Sequence, residues 1–303
     1  MTGVITTGNH PKAMWPGMRK FWGREYDQFK QEWSQIFDEE TSEKNYEEDT
    51  EVTGFGLAPV KLQAGAVSYD SESQGQTKRY THVTYGLGYI VTREELEDNL
   101  YETLSKRRIK ALSFSIRQTE EIVASNVINR GFNPSYVGGD GSSLFNASHA
   151  TVSGTQSNRM SADSDFSEAA LEDMIIQMML AQNSRGLRIS VMPKQLIVPP
   201  QLAFDAERVV KSSMQSGTAN NDINAVKSMG LLPGGVTVNH YLTDSDAWFI
   251  KTNVPNGLMR FNRRATEFKQ DNDFDTENAK AKSTLRFSVG WTDWRGIFGT
   301  PGA

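Results

Sequence analysis

The sequence predicts an α+β protein, and three patterns carry that prediction. A 3.6-residue apolar periodicity runs without a proline from Thr92 to Gly131. Strand-like segments precede it at 57–91 and fill the last fifth of the chain. Between them, from Ile189, short apolar runs alternate with a helical segment.

The composition bounds what such a protein does. Hydrophobic residues make up 37% of the 303, low for a chain that must bury its own interior, while 10% aromatics are too many for a disordered one. The chain is therefore ordered yet short of apolar residues. A formal net charge of -5 argues against a dedicated nucleic-acid binder, which carries a basic excess. The absence of cysteine removes disulfides, thiolate metal sites and cysteine nucleophiles together. The first residues lack a basic region followed by an apolar run, and no stretch reaches the roughly 18 apolar residues of a membrane span. A soluble, non-secreted protein with no membrane partner is expected.

Residues 1–14 read as a flexible polar arm. Trp15, Met18, Trp22, Tyr26, Phe29, Trp33 and Phe37 then recur at three- and four-residue steps, the spacing of one helix face, with Pro16 in the first turn. So heavy an aromatic stripe needs a large partner surface, in its own core or on a neighbouring copy. From Asp38 to Glu51 the chain is acidic against a single Lys44, and reads as a solvated connector.

Residues 57–91 read as a long two-stranded hairpin, with Leu57–Ser68 as one limb, a polar tip around Gly75, and Arg79–Val91 as the return. A lone ribbon is marginal in water, so it is expected to reach another subunit. Thr92 and Glu95 then form a capping box, flanked by Val91 and Leu96 as a staple. The helix that follows runs through Leu100, Leu104, Leu112, Ile116, Val123 and Val127 to a stop at Gly131, about 55 Å at 1.5 Å per residue. Its cluster of Lys106, Arg107, Arg108 and Lys110 reads as a solvated face.

A Gly/Ser/Asn-rich stretch spans 133–165, long enough to suggest an interface or a functional loop. Ser167 starts a helix with Leu171, Met174, Ile175 and Met178 on its core face. The run QLIVPP is a buried strand leading into a helix at Pro200, with Phe204, Val209 and Val210 expected on its face. Strands follow near 236–241, 247–252, 258–261, 265–268 and 283–291, with turns at TDSD and DNDFDTEN.

No chemistry-bearing constellation emerges. The four histidines, 10, 82, 149 and 240, lack metal-ligand spacing; the glycine clusters lack the phosphate-loop and dinucleotide patterns; no GxSxG elbow occurs. Asp271, Asp273 and Asp275 open like a calcium loop, but Thr276 stands where glycine is needed and Lys282 where the closing Glu belongs. His149 with a nearby serine leaves a serine hydrolase as a poor alternative. No catalytic, cofactor or metal residue is assigned. What remains is an aromatic helix, a projecting hairpin, a very long helix and polar loops, an inventory suited to assembly.

The segments LFNASHATVSGTQSN, AQNSRG, QLIVPPQLAFDAERVV, GTANNDIN and VNHYLTDSDAWFI, in that order over about residues 140–255, resemble the Mu-like major head subunit family of tailed bacteriophages. The resemblance implies the Hong Kong 97-type capsid fold. It implies an N-terminal arm at 1–50 with the aromatic helix and acidic connector, an extended β-hairpin loop at 51–91, and a peripheral domain at 92–188 built on the long spine helix. An axial domain at 189–254 and C-terminal strands at 255–303 returning to the peripheral domain complete it.

The function implied is a non-enzymatic major capsid protein that self-assembles as pentamers and hexamers into an icosahedral virion shell around double-stranded DNA, built in the host cytoplasm. Intersubunit contacts are expected at Trp15, Trp22, Tyr26, Phe29, Trp33 and Phe37, at Lys78, Arg79 and Tyr80, and at Asn220, Asn221 and Asp222. Implied partners are further copies of the chain, a portal protein and a decoration or cement protein; and because the removable scaffolding domain of about a hundred residues with which some relatives begin is not expected here, the resemblance implies a separately encoded scaffold, or cleavage before residue 1. Lys78 has no marked partner Asn, so crosslinking is not expected. A shell protein of a protein-cargo compartment with the same fold is the alternative.

Overall fold

A computed structural model describes residues 22–27, 30–94, 101–215, 222–273 and 277–303, with residues 101–105 described by their backbone alone. The aromatic stripe does not form one continuous helix. Residues 22–27 are helical (α1), the chain leaves the helix by residue 30, and Trp33–Ile36 makes a separate turn (α2). The Glu121 carboxylate explains the restart, because it accepts the Glu32 and Trp33 amides at 3.0 Å each and so caps a new N-terminus.

The acidic run is not a connector. Asp38–Thr41 (β1) and Tyr46–Val52 (β2) are strands, and their carboxylates are neutralised from elsewhere in the fold. Asp38 meets Lys251 at 2.9 Å, Glu39 pairs with Arg260, and Glu48 accepts from Arg79 at 2.7 Å. Strand propensity alone disfavours such acids; partners fixed by tertiary structure override it.

The hairpin exists with different limbs. Gln74–Thr81 (β3) pairs antiparallel with β2, Tyr46 opposite Thr81 and Val52 opposite Gln74, and residues 53–73 form the connecting loop without regular structure. Pro59 and the glycines at 54, 56 and 65 keep that stretch out of a ladder. The chain continues as Val83–Val91 (β4), which joins a sheet of order β1, β10, β11, β4, where β10 is Leu258–Asn272 and β11 is Ala279–Trp291. The two short strands expected at 258–268 are thus one 15-residue strand, irregular between Asn262 and Glu267.

The long helix, Tyr101–Asn129 (α3), lies under this sheet with Ile109, Leu112 and Ile116 packed against Phe268, Leu285 and Phe287. Its 29 residues span about 43 Å; the capping-box Glu95 and Leu96 lie outside the described residues. Gly131 follows, but not for a left-handed stop. A Cβ there would come within 2.5 Å of the Phe145 ring, so glycine is required by close approach of the loop.

His149–Thr151 (β5) and Gly154–Gln156 (β6) form a small hairpin. Ser167 caps Glu168–Met179 (α4) by accepting the Ala170 amide, and Leu171, Met174, Ile175 and Met178 are buried as expected. A second sheet of order β12, β9, β7, β8 sits beside it, made of Ile297–Thr300 (β12), Trp248–Thr252 (β9), Pro193–Val198 (β7) and Val236–Val238 (β8). Ala203–Lys211 (α5) packs on it through Ala206 and Val209. Phe204, expected on that face, is instead 80% exposed; at about 100° per residue it points about 170° from the mean direction of Ala206 and Val209, on the opposite side.

Candidate assembly surfaces

The predicted contact residues divide sharply. Trp22, Trp33, Phe37 and Tyr80 are between 2 and 6% exposed within their own chain, so they are core and not intersubunit surface. Trp22 stacks on Tyr26 at 4.8 Å and Phe268 at 5.6 Å. Tyr26 is half-buried there, donating its hydroxyl to Glu120 at 2.8 Å while the Arg117 guanidinium lies 3.9 Å over its ring; burial first, and the Glu120 charge second, push that phenol well up. Arg260 stands 3.9 Å over Trp33 and also binds Glu39 and Glu120. The Tyr80 ring meets Phe261 edge-on, its hydroxyl 2.6 Å from that of Thr292. These aromatics found a partner surface large enough in the helix and sheet of their own subunit. Trp15, Phe29, Asn220 and Asn221 lie outside the described residues.

Besides half-buried Tyr26, three predicted residues keep accessible surface. Arg79 is exposed, ion-paired to Glu48 and stacked 4.2 Å over Tyr46. Lys78 donates to the Val137 carbonyl at 2.9 Å and sits 4.7 Å from the Trp291 ring; burial lowers its ammonium pKa. Asp222 is exposed beside the bridge between Met214 and Ile223.

The most conspicuous surface lies within the segment expected to reach another subunit, at residues that were not singled out from the sequence. In the 53–73 loop, Phe55, Leu57, Val60, Leu62, Val67 and Tyr69 are 59 to 95% exposed. Its base is nonetheless fixed. Thr53 and Ser73 bond across it at 3.0 to 3.2 Å. Asp70 accepts the Gly56 amide at 2.8 Å and an Arg185 nitrogen at 2.5 Å. Arg185, then the Gly56 and Ser71 amides, hold the Asp70 carboxyl down to about 2. Apolar residues at 55, 57, 60, 62, 67 and 69 follow neither a two- nor a 3.6-residue period, and that mismatch is the signal that no element of this chain buries them.

A groove of about 530 Å³ opens between the start of β4 and the C-terminal half of α3, walled by Tyr85, Val123, Val127, Tyr136, Phe287 and Trp291. Lys78, Arg79 and Arg130 also line it.

His149 is wholly buried and does not support the hydrolase alternative. Its Nδ1 lies 2.5 Å from Asp140 and its Nε2 3.1 Å from Asn158 Oδ1, and its ring stacks on Trp294 at 4.3 Å. With both nitrogens facing those oxygens, neither is left to take a proton from a serine hydroxyl. Burial alone would raise the Asp140 carboxyl, but His149 and the Ser142 amide together hold it below the usual carboxylate range. Among the described residues no group of three acidic or histidine side chains forms a metal cluster, and no helix is long and apolar enough to cross a membrane.

A long helix under a four-stranded sheet, a second mixed sheet and a projecting loop constitute the Hong Kong 97-type capsid fold. Residues 75–299 match the family described as phage capsid protein, and the chain belongs to that family. No curated protein sequence matches it. Among solved structures, the capsid of a native GTA particle aligns with a TM-score of 0.55 at 11% identity, covering 98% of this chain and 91% of that one. A chain from Mycobacterium phage Patience gives 0.54 at 10% identity, over 99% and 92%. The virus-like particle from Pyrococcus furiosus gives 0.51 at 12% identity, over 94% and 98%. At such identities the likeness is one of fold.

Proposed function

We propose that this protein is the major capsid protein of a tailed bacteriophage of the Mu-like head group, assembling as pentamers and hexamers into an icosahedral shell around double-stranded DNA. The observation that carries this reading is the 53–73 loop, whose large apolar side chains are 59 to 95% exposed on an otherwise well-packed subunit. A surface of that kind is completed by a neighbour. Closed symmetry then repeats one modest contact many times over. The family membership supports the same reading.

In this proposal α3 is the spine of a peripheral domain with β10 and β11, residues 189–254 form an axial domain, and Asp222 stands near the capsomer centre. Lys78 and Arg79 contact a neighbour at the hairpin. The protein is structural and not an enzyme; it meets a portal protein, a separate scaffold and a decoration protein, and is built into virions in the host cytoplasm. Particles purified from an expressing or infected cell should hold nuclease-protected double-stranded DNA when packaging proteins are present. A second reading, a shell enclosing a protein cargo, draws on the fold shared with the virus-like particle from Pyrococcus furiosus. Particles that consistently enclose one foreign protein and no DNA would favour it over the first.

A further inference from the structure

The loop at 42–45, between β1 and β2, meets β10 and β11 where their ladder is irregular. Asn262 lies opposite Phe287 and Arg264 opposite Arg286, so Arg263 is an extra residue and two arginines face a third. Like charges set directly opposite one another destabilise a sheet. Two of these side chains are held by consecutive residues of the loop. Arg263 Nε donates to the Lys44 carbonyl at 3.0 Å, and Arg286 donates to Asn45 Oδ1 at 3.0 Å. Lys44 brings a further cation to the same place.

No carboxylate neutralises the three arginines among the described residues. Both acceptors of the loop are uncharged, and the acids nearby are committed elsewhere. Glu47 pairs with Lys44 at 3.0 Å and accepts from the Ser42 hydroxyl at 2.7 Å, while Glu267 pairs with Lys269 at 3.0 Å. The enclosed Nε of Arg286 finds no acceptor. His82 registers the uncompensated charge. Its nitrogens lie 3.0 Å from the hydroxyls of Ser42 and Ser288, and burial first, then the Arg286 guanidinium and to a smaller extent Arg263, hold its pKa down against the pull of Glu47. Arg264 is exposed and Arg263 and Arg286 are half-buried, so the cluster opens to solvent.

A guanidinium stays charged and presents its N–H donors as a rigid fork. A carboxylate has two oxygens and satisfies one fork. A phosphate group carries three strong acceptor oxygens and up to two negative charges, and so serves several forks at once. We propose that Arg263, Arg264 and Arg286, with the Lys44 ammonium at the rim, form a binding site for a phosphate group. The inference goes beyond the shell-subunit reading and does not rest on it. The irregularity in β10 is then the device that sets two arginines against one anion, and an occupied site ties the 42–45 loop to β10 and β11.

Isothermal titration calorimetry of the unassembled full-length subunit with inorganic phosphate, at constant ionic strength in chloride, should show a saturable site. Arg264→Gln, at an exposed position, should weaken it by about tenfold or more, the worth of one charge-assisted hydrogen bond. Arg286→Lys keeps the charge but loses the fork, and should weaken it as well. Lys194→Gln, an exposed lysine on β7, should leave it unchanged, with circular dichroism showing that each variant is folded. A short DNA duplex that displaces the phosphate makes a nucleic-acid backbone its source; a duplex that does not compete makes the source a free phosphate group. No saturable phosphate binding, or an affinity unchanged by Arg264→Gln, overturns the inference. So does an equal loss in Lys194→Gln, or saturable binding of polyglutamate with none of phosphate.

Discussion

Replacing Asn158 by alanine should unfasten the C-terminal strands from the polar 133–165 stretch. The Asn158 side chain is fully buried, and its Nδ2 lies 2.7, 3.1 and 3.0 Å from the carbonyls of Leu144, Trp294 and Ile297. Its Oδ1 accepts the Asn146 amide at 3.0 Å and faces His149 Nε2 at 3.1 Å. Two N–H donors serve three carbonyls, so one is shared, which leaves about four hydrogen bonds at a net of roughly 1 kcal/mol each. Alanine also strands buried carbonyls and an imidazole nitrogen, whereas water entering the vacated space offsets part of that, so the expected loss is about 4 kcal/mol. Urea titration of the unassembled subunit, followed by tryptophan fluorescence, reads it directly because Trp294 stacks on His149. Ser245→Ala, in an exposed turn, serves as the control and should change stability by no more than about 0.5 kcal/mol. A loss below about 1 kcal/mol for Asn158→Ala would refute the view that this side chain joins the two parts of the fold.

Four further outcomes are expected. Trp22→Ala should destabilise the isolated subunit by about 3 kcal/mol in the same titration, because its ring lies between Tyr26 and Phe268; a defect confined to assembly would return the stripe to an intersubunit role. Tyr69→Ala should do the reverse, shifting subunit stability by less than about 0.5 kcal/mol while particle yield falls by sedimentation. Burial raises the Glu121 pKa from 4.5 to about 7, so the folded chain binds this proton more tightly than the unfolded one. Its stabilisation is complete below pH 4.5 and is lost as pH rises through about 7, by up to about 3 kcal/mol, and Glu121→Gln should flatten that slope in denaturation midpoints measured across pH. Gly131→Ala forces a methyl against the Phe145 ring and should cost about 1 to 3 kcal/mol by urea titration.

Periodic elements were legible in the sequence, and elements made by partners were not. The Ser167-capped helix and the buried QLIV strand followed from spacing and capping, because local preference and tertiary packing agree there. The acidic strands β1 and β2 were illegible for the opposite reason. The β1 carboxylates look solvated until Lys251 and Arg260, more than 200 residues away in sequence, are brought alongside, and Glu48 of β2 until Arg79 faces it across the ladder. Likewise, the break between Tyr26 and Trp33 depends on a cap supplied by Glu121 from another helix. The aromatic spacing located the stripe but not its destination, since a buried face looks the same whether its own sheet or a neighbour covers it. The exposed 53–73 residues were hidden by the reverse error, in which an irregular apolar run was read as one limb of a ribbon. His149 looked isolated because Asp140 and Asn158 are each nine residues away, on loop positions that no periodicity links.

The central claim is that this subunit is finished only by copies of itself. Electron microscopy of the purified full-length chain at high protein concentration, with and without a coexpressed scaffold, tests it most directly. The account predicts closed shells or capsomer rings with five- and six-fold views. A monodisperse, compact monomer under every such condition would contradict it.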